Sequence, residues 1–416
     1  MALQVAATVI MQWLNSDTSD YSGPAIQCPT CGNKASYTGR RTRTVTTTLG
    51  EMVLERAYYH CSGCGHGMFP RDEALNLADT SCSPHVVRSI GVVASMVSFQ
   101  ESSTLLAELA GLAIKVKQVE RIAETLGSQV ASFEETVTEE TPASAPTLYL
   151  GMDGTGIPMR PSELEGRSGK QADGSAKTRE VKLVTIWSAE SRDKEGVPVR
   201  DEGSVTYSAA IESAAEQDVD LYPSVFARRV AREVARRSFL KAGRMVIIGD
   251  GARWIWNIAG TYYPEAIQIV DLYHAKGTVS EAAKAIFGPT SEAGQIWAKA
   301  RRDELERGEL DTVIDAFNRH ADTSKEAGAC RDYLERNRKR MNYPLFRSQG
   351  LCTSSGIVEA GCKWAIGVRL KQSGMHWSVR GSNAIIALRC CRLSGRYEDF
   401  WEWFSIPLRR VNPLVA

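Results

Sequence analysis

Leu148-Tyr-Leu-Gly-Met-Asp-Gly-Thr-Gly156 is a short apolar run that stops at an aspartate, Asp153, followed by glycine. It lacks the alternation of a half-exposed strand, so it reads as a strand buried on both faces, the kind found in sheets covered by helices. A second run, Arg244-Met-Val-Ile-Ile-Gly-Asp-Gly-Ala252, repeats the pattern and stops at Asp250. A third acid, Glu359, lies in Ser354-Ser-Gly-Ile-Val-Glu-Ala-Gly-Cys-Lys363, a turn that leads into a helix. Carboxylates at the tips of buried strands can converge at one edge of a sheet. Hard cations such as Mg2+, and Mn2+ in its place, take oxygen ligands of this kind. Two such ions, about 3.5–4 Å apart, can clamp the attacking and leaving oxygens of a phosphodiester.

Working outward, Val181–Trp187 and 203–209 read as further strands, separated from the first by a polar Gly-, Ser- and Lys-bearing insert. Residues 224–240 read as a helix with a basic face of Arg228, Arg229, Arg232, Arg236 and Arg237. A helix over Arg253–Tyr262 and a short strand over 266–271 complete the set. Three strands, a helix, a strand, a helix and a strand make the ribonuclease H-like order, an α/β mixed sheet needing cover on both faces. This core is expected over 148–274 and again over 346–416. An all-α insertion rich in Ala, Glu, Arg and Lys is expected over 275–345. A helix near Ser382–Cys391 is expected to pack back on the sheet.

Upstream, Cys28-Pro-Thr-Cys31-Gly and Cys61-Ser-Gly-Cys64-Gly flank alternating Thr- and Val-rich segments with a turn near Gly50-Glu51. Two Cys-x-x-Cys-Gly knuckles joined by a β-hairpin suit tetrahedral Zn2+, so residues 1–81 read as an N-terminal helix and a structural zinc ribbon. A redox dithiol is the lesser reading. Residues 82–133 read as helical. Within them, 103–124 has the helix, glycine turn at Gly111 and second helix of a helix-turn-helix, with Lys115, Lys117, Gln118 and Arg121 as candidate DNA contacts. The apolar residues Val116, Val119 and Ile122 sit about one place off the usual register, so plain helical packing competes. The acidic, proline-bearing segment 134–147 reads as a linker.

Each motif has a bland competitor. A single Asp-Gly after a strand is a common turn, and a first-turn glutamate suits a helix dipole. It is the three acids together, in this element order, that point to a site. Asp271-Leu-Tyr-His274 follows the last strand, and its two polar side chains can share a face and hydrogen-bond. The segment 363–380 carries Lys363, Arg369, Lys371 and Arg380 with no acid among them. Interleaved with Trp364 and Trp377, these residues can neutralise phosphates and stack on unpaired bases, Trp377 being the candidate platform. Another basic run spans 331–347.

The 416 residues allow two or three domains, and 43% hydrophobic with 24% charged content is ordinary for a soluble globular chain. A net charge of +1 gives no global pull toward nucleic acid, so any such pull is local. No run reaches the roughly 20 apolar residues of a membrane span. The ten cysteines, four of them in two close pairs, argue for a reducing compartment and one metal site.

The chain resembles DDE-class insertion-sequence transposases, specifically the ISKra-type group, over nearly its whole length. The resemblance rests on the paired cysteines, Gly151-Met-Asp-Gly-Thr-Gly156, Ile248-Gly-Asp-Gly-Ala252, Asp271-Leu-Tyr-His274, and Gly356-Ile-Val-Glu-Ala-Gly-Cys-Lys363 followed by Lys371-Gln-Ser-Gly-Met-His-Trp377. It implies that Asp153, Asp250 and Glu359 hold two Mg2+ ions, with Asp153 bridging, and that Asp271 and His274 form an auxiliary motif. The implied activity is cleavage at transposon ends and strand transfer to target DNA. Its partners would be double-stranded DNA (end repeats and target) and a second copy of the chain, in a dimer or larger assembly. The setting would be the bacterial cytoplasm, at the nucleoid. A ribonuclease H-like nuclease that cuts without joining, and a non-enzymatic zinc-ribbon DNA-binding protein, are the rival expectations.

Overall fold

The computed structural model describes every residue except Met1, Asp79, 137–144, Lys170, Ala172, Asp173, 215–222, Ser355 and 412–416. It is a mixed α/β chain that divides into two compact units, one of residues 1–133 with 396–416 and one of 134–395.

In the first unit, α1 (Ala2–Ser16) precedes a four-stranded antiparallel sheet of β1 (Ala25–Gln27), β2 (Lys34–Thr47), β3 (Gly50–His60) and β4 (Gly67–Met68). The hairpin turn falls at residues 48–49, just before the expected Gly50-Glu51. Gly50 begins β3 at φ +119°, a backbone that only glycine adopts cheaply. α2 (Pro70–Ala74) supplies Asp72, whose carboxylate receives both Arg43 (2.7 Å) and the buried Arg56 (2.5 Å). α3 (Pro84–Ala94), α4 (Phe99–Ala110) and α5 (Val116–Thr136) follow, and the C-terminal helix Tyr397–Val411 belongs to this unit. The sequence had placed residues 396–416 with the strand-bearing core. They join the first unit because Phe400 is fully buried there, edge-on to Phe133 at 5.6 Å.

The second unit is built on a five-stranded sheet of β5 (Thr147–Pro158), β6 (Thr178–Ser188), β9 (Thr206–Ala210), β10 (Arg244–Gly249) and β11 (Ile267–Val270). A small hairpin, β7 (Ser191–Arg192) with β8 (Pro198–Val199), lies between β6 and β9 in sequence. The spatial order is β11-β10-β5-β6-β9. β5, β10 and β11 run parallel, while β6 is antiparallel to both β5 and β9. The apolar runs of the sequence are its buried centre: Leu150, Met152, Leu183, Ile186 and Ile247 are fully covered. β5 runs on past Asp153 to Pro158, because its pairing with β6 continues to Pro158 opposite Thr178. Asp153 therefore sits inside a strand, not at its end.

Alternation fixes which helices cover which face. Thr206, opposite Ile186, bonds Glu233 of α6 (Val225–Arg236) at 2.5 Å, so that face meets α6. Leu183 and Tyr207 belong to the opposite face and meet Gly361 of α13 (Gly356–Gly361). Between these elements come α7 (Arg253–Tyr262) and then the helical segment α8 (Leu272–Phe287), α9 (Glu292–Glu306), α10 (Leu310–Asn318), α11 (Lys325–Asn337) and α12 (Tyr343–Ser348). Phe287, Trp297, Phe317 and His320 form its aromatic centre, with ring centroids 5.1–5.9 Å apart. α13 continues through a π-helical stretch, Cys362–Gly367, into α14 (Val368–Leu370), and α15 (Val379–Leu393) packs on β9.

The basic face expected over 224–240 is largely internal. Arg229 pairs with Glu212 (2.6 Å), Arg236 is buried against Glu233, and Arg237 donates to the carbonyl of Ser204 (2.6 Å). Of the expected linker, 137–144 lies outside the described residues.

Candidate active site

Register places the aspartates. On the three parallel strands, Met152 is opposite Gly249 and Gly249 is opposite Val270. The next residues along the chain are Asp153, Asp250 and Asp271. Three carboxylates thus stand at one level on three adjacent parallel strands, just past the carboxyl ends of β10 and β11 and within the longer β5, on the side where open α/β sheets bind their ligands. Asp153, opposite Leu183, shares the face of Leu183 and of α13.

The acid on α13 is brought in by glycines. A Cβ on Gly151 would lie 2.2 Å from Val358 Cγ2, and one on Gly361 would lie 2.9 Å from Leu183 Cδ2. Neither glycine has a positive φ, so both are needed for room and not for backbone conformation. With them, α13 lies close on β5 and β6, and Glu359 lines the same cavity of about 1050 Å³ as Asp153, Asp250, Asp271 and His274.

Local bonds hold each carboxylate. Asp153 Oδ1 accepts from its neighbour Gly154 N (2.6 Å), and Asp250 Oδ1 accepts from Ala252 N (2.7 Å). Asp271 is the N-cap of α8, its Oδ1 accepting from the backbone N of His274 (2.6 Å). The expected side-chain pair of Asp271 and His274 is therefore a helix cap through the main chain, which satisfies one orphan donor of α8. Burial pushes the Asp153 carboxyl up, and the nearby Asp250 carboxylate adds to this. The Cys362 thiol, the Gly154 N–H and His274 pull the other way without cancelling it. Crowded, half-buried anions of this kind are relieved by a cation, and the all-oxygen donor set matches Mg2+ or Mn2+. The cavity also takes in Glu281, Glu326, Tyr273 and Tyr333, which the sequence reading missed because they sit in ordinary-looking helical segments.

The four cysteines form a second centre. The sulfurs of Cys28, Cys31, Cys61 and Cys64 all lie within 4.8 Å of one another. Among the described residues no other group of three or more His, Cys, Asp or Glu is gathered tightly enough to hold a metal in the same way. The two knuckles match bond for bond: Gly32 N donates to Cys28 O (2.9 Å) and Gly65 N to Cys61 O (2.8 Å), with Gly32 and Gly65 at φ +75° and +74°. Burial raises the Cys28 thiol, but the N–H groups of Cys31 and Thr30 aimed at its sulfur, together with the neighbouring thiols of Cys64 and Cys31, outweigh that and hold it at about 6. Such a set can bind a metal such as zinc.

The candidate DNA contacts divide. Lys115, Lys117 and Arg121 are exposed on α5 or at its start, Lys117 in an ion pair with Glu120 (2.7 Å). Gln118 is half-buried and donates to Ser81 Oγ (3.1 Å). Val119 and Ile122 are buried, so the off-register apolar residues serve to pack α5 in its own unit. Gly111 caps α4 in the left-handed region. Lys363, Lys371 and Arg380 are exposed, and Lys371 Nζ donates to Thr155 Oγ1 (2.5 Å), two residues past Asp153. Two expectations fail. Trp377 is 6% exposed, its Nε1 bonds Leu370 O (3.0 Å), and the fully buried Arg369 lies over its ring. Trp377 and Arg369 are core residues, and neither offers a surface for a base or a phosphate. The exposed indole of this segment is Trp364.

The sequence profile of the uncharacterised protein family UPF0236 matches residues 33–405, and the chain belongs to that family. No curated protein matches it. A solved structure, the Drosophila P element transposase strand transfer complex, is similar over 77% of this chain and 81% of that one, at 11% identity and a TM-score of 0.26. At that score the likeness establishes neither a shared fold nor a shared activity.

Proposed function

We propose that this UPF0236 member is a DDE-class transposase of the ISKra type that cleaves transposon ends and joins them to target DNA. The observation that carries the reading is the strand register that sets Asp153, Asp250 and Asp271 side by side, with Glu359 lining the same cavity. The strand order β11-β10-β5-β6-β9 with β6 reversed supports a ribonuclease H-like core interrupted by the helices α8–α12.

In this account Asp153, Asp250 and Glu359 hold divalent magnesium, which when bound supplies Lewis-acid polarisation of the phosphate and lowers the pKa of bound water. Asp271 keeps α8 fixed at the edge of the cavity through its cap, which places His274 beside Asp153. Lys371, held at Thr155, sets a positive charge against the DNA backbone next to the site. A water oxygen attacks the scissile phosphorus and the phosphorus–oxygen bond to the leaving 3′-oxygen breaks. The water's proton passes to solvent, and the 3′-oxygen is freed as a hydroxyl. That hydroxyl then attacks a target phosphodiester, displacing its 3′-oxygen, so one phosphodiester is exchanged for another and no ATP is used. The cysteine centre and the exposed Lys115, Lys117 and Arg121 would contribute end recognition, with a second copy of the chain holding the other end.

Asp153→Asn tests the reading. It should abolish Mg2+-dependent cutting of end DNA while leaving end binding within about twofold, since a single neutralised side chain changes few phosphate contacts. Retained cutting would remove Asp153 from the site. A pre-cleaved end separates joining from simple hydrolysis: a nuclease would give no strand-transfer product.

A further inference from the structure

The helix α11 presents one face to the acid cavity, Glu326, Ala329, Cys330 and Tyr333, at the spacing of a single helical stripe. Tyr333 is 8% exposed, and its buried hydroxyl has no hydrogen-bond partner. Thr278 Oγ1 is close enough to the phenol to influence it, but its proton is directed to the carbonyl of His274 (3.1 Å) and the two hydroxyls do not meet in bonding geometry. A buried phenol left unbonded has given up its bonds to water without replacement, a cost that a bound ligand with an acceptor atom would remove. Other buried polar atoms of the chain also lack partners, yet Tyr333 differs from them by lining the cavity beside Asp250 and Asp271.

The turn after Asp250 is shaped around this ring. A Cβ on Gly251 would lie 1.9 Å from Tyr333 Cε2, and the φ of Gly251 is not positive. Glycine follows Asp250 because the tyrosine needs the space. A phenol keeps its proton at neutral pH, so it offers a donor among carboxylates that can only accept.

We propose that the Tyr333 hydroxyl donates a hydrogen bond to a non-bridging oxygen of the phosphodiester bound over Asp250, and so is a catalytic residue contributed by the helical insertion. The proposal rests on the DNA-cleaving reading above. A donor aimed at charge that grows in the transition state contributes about 10²-fold or more to turnover, and Tyr333 is the one phenol of the described cavity lining that is buried and unbonded. Tyr273, which also lines it, is 70% exposed.

Tyr333→Phe keeps the ring and removes only the hydroxyl. The test measures, on the full-length protein, melting temperature, KM and kcat for cutting an end duplex, and the melting rise given by that duplex with Ca2+. The proposal expects a melting temperature equal to or above wild type, kcat reduced about 100-fold or more, KM within about threefold, and a smaller Ca2+–duplex melting rise. A lower melting temperature would mean that the hydroxyl has a protein partner, and would overturn the proposal. So would wild-type kcat. If wild type cuts, Asp153→Asn does not, and Tyr333→Phe cuts normally, only the tyrosine assignment falls. A wild-type chain with no Mg2+-dependent cutting overturns both readings.

Discussion

Replacing Gly151 with alanine probes the joint that delivers Glu359. Glycine inside a strand costs about 0.5–1 kcal/mol relative to alanine, so with free space at this position the substitution would stabilise the second unit. The space is not free. The new Cβ would lie 2.2 Å from Val358 Cγ2, 3.0 Å from Trp187 Cζ3 and 3.2 Å from Thr185 Cγ2. Carbon–carbon contacts settle near 3.5–4.0 Å, so α13 must retreat by about 1.5 Å. Overpacking of this kind costs about 1–3 kcal/mol, which exceeds the propensity gain and fixes the sign as destabilising. A displacement near 1 Å at a reacting centre can cost about 10²-fold in rate, and Glu359 is the next residue after Val358. Gly151→Ala should therefore lower the melting temperature by a few degrees and cutting by about two orders of magnitude. Val358→Ala removes the clashing methyl and should restore much of both in the double variant. The design is a double-mutant cycle read by thermal melting and by cleavage kinetics. A Gly151→Ala protein that is more stable than wild type, or effects of the two substitutions that simply add, would refute the close packing of α13 on β5.

Three further outcomes follow from individual contacts. Asp201 accepts from the hydroxyls of Ser188 (2.5 Å) and Ser191 (2.6 Å) and from the N–H groups of Glu190 and Ser191, which outweigh its burial and hold its carboxyl well below the usual range. A depressed folded pKa stabilises above the unfolded value of about 3.9, so Asp201→Ala should cost about 1–2 kcal/mol at pH 7 and the gap should narrow below about pH 4 in denaturant titrations. Chelation or Cys31→Ser should release one zinc per chain, measured by elemental analysis, and speed hydrogen exchange across β1–β4 while leaving β5–β11 protected. Trp377→Phe loses the bond to Leu370 and should lower the melting temperature without changing affinity for single-stranded DNA, measured by fluorescence anisotropy.

What the sequence carried well is local: the buried strands and the cysteine knuckles. Apolar runs that stop at Asp153 and Asp250 announce buried parallel strands, and Cys-x-x-Cys-Gly announces a knuckle whose turn needs glycine. What it carried poorly depends on contacts between distant segments. Composition shows that Trp377 and Arg369 lie in a basic, aromatic stretch, but only the tertiary packing puts them inside. The arginines of α6 look like a solvated face until Glu212, Glu233 and the carbonyl of Ser204 are found against them. The Asp271–His274 spacing was visible, while its use as a helix cap required knowing that α8 begins at Leu272. Tyr333 gives no signal along the chain at all. Its meaning comes from Gly251, which reads as a turn glycine and is in fact a clearance for the ring.

Anomalous diffraction from a crystal soaked in Mn2+ tests the central claim most directly. The account predicts metal density in the acid cavity, coordinated by oxygens of Asp153, Asp250 and Glu359, and lost in the Asp153→Asn protein. Manganese bound elsewhere, or in this cavity without any contact to Glu359, would contradict it.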